Sequence, residues 1–176
     1  MSRLAKLVVL VAALGLVVAG CNSVPSAAAG RSYKNPKNHF ALDAPADWEQ
    51  REDAPGFKVL LLAPKVGEEP QATVDVMVLP AAGMSDMAEY LALSRKAVSA
   101  YKEYKELQAK VVQHANGREA CFIECEHERF GPKVRMKQYA MLCGGKQFII
   151  TASVPTDLAD KLLPQADKIL DSFYVW

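Results

Sequence analysis

The stretch LQAKVVQHANGREACFIECEHERFGPKVRMKQYAMLCGGKQFIITASV, Leu107 to Val154, decides the fold. Four runs of strand length are punctuated by three turn signals. Leu107–His114 leads to Asn116-Gly117, a dipeptide suited to a two-residue hairpin turn whose central positions both need positive φ. Arg118–Arg129 follows, Gly131-Pro132 turns it into Val134–Cys143, and Gly144-Gly145 turns that into Lys146–Val154. Strands joined in succession by tight turns make an antiparallel meander.

Beyond the meander the period changes. Thr156 or Asp157 can cap a closing helix with apolar positions Leu158, Leu162, Ala166, Ile169, Leu170 and Phe173. Pro164 lies inside it and is expected to kink or break it, because proline lacks the donor and clashes one turn back. On the other side of the meander, Met87, Leu91, Ser94, Val98 and Tyr101 form one helical face. That predicts a helix from about Asp86 to Tyr101, capped by Ser85. Further upstream, Ala72–Leu79 alternates, with Val74, Val76 and Val78 on one face and Thr73, Asp75 and Met77 on the other. It pairs with the apolar run Phe57–Leu62 across the proline-bounded loop Pro64–Pro70. Phe40, Leu42 and Ala44 alternate in an opening strand that Pro45 ends, and a short strand follows near Trp48–Arg51. The class is α+β: an antiparallel sheet flanked by helices.

The register of the meander decides the cysteine chemistry. If Gly131-Pro132 alone forms the loop, Glu126 faces Lys137 and Glu128 faces Arg135, gaining ~0.2–1 kcal/mol per pair. With one more loop residue, Cys121 faces Cys143, Ile123 faces Met141 and Cys125 faces Tyr139, and Phe148, Ile150, Ala152 and Val154 join that face. Burial at ~1.5–3 kcal/mol per large side chain favours the longer loop. It makes Cys121–Cys143 the candidate disulfide, against the alternative of three buried thiols acting as small apolar residues. Cys121 and Cys125 lie ~13 Å apart along one strand and cannot bond each other.

Residues 1–20 read as a secretory leader. Arg3 and Lys6 precede an apolar run, Leu7 to Ala19, of 13 residues. A bilayer-spanning helix needs ~20. Val18-Ala19-Gly20-Cys21 resembles a bacterial lipoprotein signal, with cleavage before Cys21 and lipid, palmitate included, on its sulfur and amine. Asn22–Gly30 is small and uncharged, so residues 21–32 read as lipidated cysteine and tether, and 33–176 as one globular domain. Two or more acyl chains anchor stably. Asn22, rather than the aspartate associated with inner-membrane retention, leans towards the outer membrane. The location expected is the periplasmic face of the cell envelope.

Without the leader, 19 basic side chains face 20 acidic ones, with no block of like charge. A nucleic-acid partner would want a basic stripe. Cys125-Glu126-His127 offers a thiol and an imidazole on one strand face, but zinc usually takes four ligands and no second cluster is evident. Glu124, Glu126 and Glu128 read as a solvated carboxylate ladder. Trp48 reads as a packing aromatic, and Tyr174 and Trp176 as packed or partner-facing. His39 and His114 have no nucleophile at recognisable spacing. There is no G-x-S-x-G, and Gly144-Gly145-Lys146 lacks the rest of a phosphate loop. No metal, cofactor or enzymatic activity is expected.

Phe40, Pro45 and Trp48, the valine hairpin, the helix, the meander and the ending Ile169-Leu170-Asp171-Ser172-Phe173 resemble the PsbP-like fold. That family includes the photosystem II extrinsic subunit PsbP, a Ran-binding nuclear import factor and many DcrB-like bacterial lipoproteins. The resemblance implies an α/β/α sandwich and a non-enzymatic binding or assembly role, and carries over no functional residue. The expected function is a lipid-anchored, non-catalytic binding or assembly module of the cell envelope with a protein partner. The alternative is a small-ligand carrier with a pocket between sheet and helix.

Overall fold

A computed structural model describes residues 31–128 and 131–176. Among the described residues are ten strands: β1 (Arg31–Asn35), β2 (Phe40–Ala44), β3 (Glu49–Glu52), β4 (Val59–Leu62), β5 (Thr73–Pro80), β6 (Lys105–Gln113), β7 (Glu119–Glu128), β8 (Lys133–Cys143), β9 (Lys146–Pro155) and β10 (Tyr174–Val175). The helices are α1 (Met87–Val98) and α2 (Ala159–Ser172), the latter entered through a single 3₁₀ turn. Strands β3-β4-β5-β9-β8-β7-β6 form a seven-stranded sheet, and β1-β2-β10 a small second one.

The large sheet is apolar on both faces, because a helix covers each. Val74, Val76, Phe148, Ile150, Ala152 and Val154 point to one side. They meet Leu162, Ala166, Ile169 and Leu170 of α2, and Phe40 and Leu42 of the small sheet, in the main core. Trp48 is buried there, its Nε1 donating to Gln165 at 3.2 Å. On the opposite side, Cys121, Ile123 and Cys125 lie beneath Met87, Tyr90 and Val98 of α1. Pro164 does not end α2. It stands in the second turn opposite exposed Asp160, so water can take the carbonyl it leaves unpaired.

Three local expectations are corrected. Asp86, not Ser85, caps α1, its carboxylate accepting from Ala88 N–H at 2.7 Å and Glu89 N–H at 3.1 Å. The helix stops at Val98, short of Tyr101. At the β6–β7 turn only Gly117 has positive φ, while Asn116 spends its side chain on the loop, accepting from Arg118 N–H at 2.9 Å.

The meander register is also corrected. Cys121 pairs with Ala140, Cys125 with Met136 and Glu128 with Lys133. Neither expected register occurs. With helices on both faces, burying one face does not discriminate between registers; the alignment found keeps both apolar and sets Glu124, Glu126 and Glu128 opposite Lys137, Arg135 and Lys133. Its parity puts Cys121 under α1 and Cys143 on the α2 side, so the Cys121–Cys143 bond is not made, and none of Cys121, Cys125 and Cys143 is in a disulfide. Alkylation in denaturant without reductant should therefore label all three. A mass two units short, with Cys121 and Cys143 unlabelled, would contradict the register.

His114 ties the meander to α2. Its Nε2 donates to Leu170 O at 3.0 Å and its Nδ1 accepts from Asn116 N–H at 3.2 Å, which defines a neutral ring. Burial holds its pKa below the ordinary 6.5. The unfolded chain therefore takes up the proton first, so this contribution to stability is complete above ~6.5 and is lost as pH falls below it. His114→Gln should be less stable at pH 7 yet lose less Tm between pH 7 and 5 than the unaltered protein. Equal losses would refute this linkage.

Candidate functional site

Helix α1 has 12 residues, ~18 Å, whereas β8 and β9 run ~33 Å. It lies over β6 and β7 and leaves part of β5, β9 and β8 uncovered on the same face. Its seat is fixed at both ends. Tyr90 donates to Gln147 Oε1 at 2.7 Å, and burial pushes its hydroxyl up to about 12. Arg95 makes two hydrogen bonds to Glu106, at 2.9 and 2.7 Å, and holds that carboxyl below its ordinary range.

The uncovered strip is a trough running from Gln147 to Pro155 along β9, ~26 Å long. At its centre is a cavity of about 450 Å³. Asp75 of β5, Gln138 of β8, and Thr151 and Ser153 of β9 form the floor; Phe57 and Tyr101 form walls. These floor positions are adjacent because Asp75 pairs with Thr151, and Thr151 with Gln138. Asp75, Thr151 and Ser153 are only 3, 9 and 5 % exposed, an unusual concentration of polar side chains on central strands. Thr151, Ser153 and Gln138 line this cavity with two hydroxyls and an amide. Tyr101 stands 45 % exposed with its ring 4.5 Å from that of buried His127, whose Nδ1 lies 3.2 Å from Glu128 O. Glu128 is paired with Lys102 at 2.6 Å.

Two smaller depressions extend the trough. One, of about 290 Å³, runs beside α1 past Met77, Leu93 and Ala97. The other, of about 220 Å³, is lined by Pro70, Gln71, Thr73 and Pro132.

Superposition on solved structures decides the fold. LpqN of Mycobacterium tuberculosis, a protein involved in cell envelope biogenesis, matches with a TM-score of 0.61 at 15 % identity, over 84 % of this chain and 86 % of LpqN. The cyanobacterial PsbP (CyanoP) of Synechocystis sp. PCC 6803 matches with a TM-score of 0.56 at 14 % identity, over 92 % of this chain and 99 % of CyanoP. This chain has the PsbP-like fold. No family model matches the sequence, and no curated protein matches it.

Within this PsbP-like domain, the residues singled out in sequence fall in three places. Cys21, the expected lipidation site, lies outside the described residues, as does the leader. Cys121 and Cys125 share the face of His127, as their spacing implied, but sit beneath α1, where burial pushes each thiol up to about 12. Among the described residues no group of three His, Cys, Asp or Glu side chains could hold a metal ion. The glutamate ladder is paired: Glu124 with Arg135 at 2.8 Å, Glu126 with Lys105 at 3.5 Å and Glu128 with Lys102. Lys137 joins Glu124, at 4.0 Å, to Asp167 of α2 at 2.8 Å.

The trough itself went unseen in sequence. Its one signal was that Thr73 and Asp75, and likewise Thr151 and Ser153, interrupt otherwise apolar strands at the same parity. Among the described residues no helix is long and apolar enough to cross a membrane.

Proposed function

We propose that this chain is a non-catalytic binding module of the cell envelope, tethered by lipid on Cys21 with the leader removed, and that the trough beside α1 is its binding surface. The trough carries the reading: it concentrates polar side chains on central strands between aromatic walls. The leader pattern supports the anchor, Asn22 supports the outer membrane, and the envelope role of LpqN, a protein of the same fold, supports the compartment. A non-catalytic role is supported by the chemistry present. Cys121 and Cys125, buried beneath α1, stay protonated at neutral pH and are poor nucleophiles.

The leading reading gives the trough a protein partner. A second, a small-ligand carrier, is favoured by the central cavity, whose 450 Å³ lies within the ~300–1,000 Å³ of small-molecule sites. Between sheet and α2, Phe40, Ile150, Ile169 and Phe173 pack together in the main core, whereas the described cavity opens on the α1 side, where a ligand would sit.

Photo-crosslinking in intact envelopes tests both. Benzoylphenylalanine replacing Phe57 should capture a molecule that the same group replacing exposed Lys161, on α2, does not. A protein-sized adduct supports the first reading and a small one the second. Equal capture at 57 and 161 would contradict both.

A further inference from the structure

We infer that the central cavity of the trough is a saccharide site, taking a neutral, polyhydroxylated ring; this rests on the small-ligand reading above.

The first argument concerns the backbone. Strands β5, β9 and β8 are interior to the sheet, so their main-chain groups are spent on ladder partners along both edges. An extended peptide is ordinarily held by main-chain hydrogen bonds at a sheet edge. This floor has no edge, and recognition must come from side chains.

Those side chains have a consistent chemistry. Thr151, Ser153 and Gln138 are uncharged and each can both donate and accept; Asp75, the fourth floor residue, brings a carboxylate. Thr151 and Ser153 stand two apart on one strand, ~6.6 Å, with Gln138 directly opposite Thr151. Hydroxyls around a pyranose ring present the same alternation of donor and acceptor over a comparable span. Thr151 and Ser153 are both more than nine-tenths buried and line the cavity, so a ligand hydroxyl can take the place of water on them.

The walls suit the other face of a sugar. Phe57 and Tyr101 offer aromatic surface to its C–H groups, and His127 behind Tyr101 holds that ring in place.

Other ligand classes fit less well. The carboxylate of Asp75 on the floor is a poor neighbour for a phosphate or carboxylate ligand. A hydrocarbon tail would strand the buried hydroxyls.

Methyl NMR of the full anchored chain in nanodiscs, labelled at its methionines, tests the inference. Met77 and Met136 line the cavity, and Met141 in the main core serves as an internal control. N,N′-diacetylchitobiose or cellobiose should shift Met77 and Met136 saturably and leave Met141 in place. Thr151→Val, which removes one hydroxyl at constant shape, should weaken the shifting sugar about 5-fold, and Tyr101→Ala about 10-fold or more, with Met141 unmoved. An uncharged octapeptide shifting these methyls where neither sugar does would overturn the saccharide assignment and leave the binding trough standing. No response to sugars or peptide, together with equal crosslinking at 57 and 161, would remove the binding reading as well.

Discussion

Phe173→Ala is expected to cost about 3–5 kcal/mol of stability, the range for emptying a fully buried aromatic site. Phe173 is 0 % exposed, and its ring lies 5.8 Å from that of Phe40. Three parts of the fold converge on it. Its N–H closes the end of α2 on Leu170 O at 3.1 Å, its carbonyl accepts from Asn116 Nδ2 at 3.0 Å, and β10 begins at the next residue. A cavity here separates the small sheet, α2 and the β6–β7 turn, so little local collapse can refill it. For a domain of this size the loss is about 10 °C in Tm. Leu93→Ala, on the exposed side of α1 at 50 % exposure, should change stability by less than ~0.5 kcal/mol. Urea denaturation of the two variants measures the contrast. A cost below ~1 kcal/mol for Phe173→Ala would contradict the arrangement of the core.

Cys21→Ser is expected to have the largest cellular effect. If Cys21 carries the lipid, the variant should lose essentially all incorporation of a tagged fatty acid and leave the membrane fraction, because the short tether Asn22–Gly30, with only small side chains, cannot hold it there. The size of the change follows from the anchor. One acyl chain gives only marginal, reversible binding, and two or more make it effectively stable, so losing all of them is close to all-or-none. Labelling that survives the substitution would refute the anchor. Loss of label with full membrane retention of a chain whose N-terminal mass shows the leader removed would show that the domain itself binds the membrane.

Much of the architecture was legible in the residues. Gly144-Gly145 marked a two-residue turn, and Cys143 does pair with Lys146 across it. Val74, Val76 and Val78 marked the α2-facing side of β5, and the four-three spacing from Met87 marked α1. What remained hidden depends on relations between elements. The register could not be derived from burial, because Ala120 and Met141 are as buried on one face as Cys121 and Ile123 are on the other. Tyr90 belongs to none of the expected core positions of α1, yet it is 5 % exposed because the helix axis turns it onto Gln147. The trough was hidden for the same reason. Thr151 and Ser153 are ordinary alternating positions until the length of α1, set by Asp86 and Val98, decides which part of the sheet stays uncovered.

The central claim is that the trough is occupied in the envelope. Hydroxyl-radical oxidation of methionines tests it most directly, comparing protein in intact envelopes with protein purified away from them. Met77 lines the trough and Met84 precedes α1 outside it, and both are half-buried. Slower oxidation of Met77 in envelopes than after purification, with Met84 unchanged, is the predicted result. Equal rates for Met77 in the two preparations would contradict the claim.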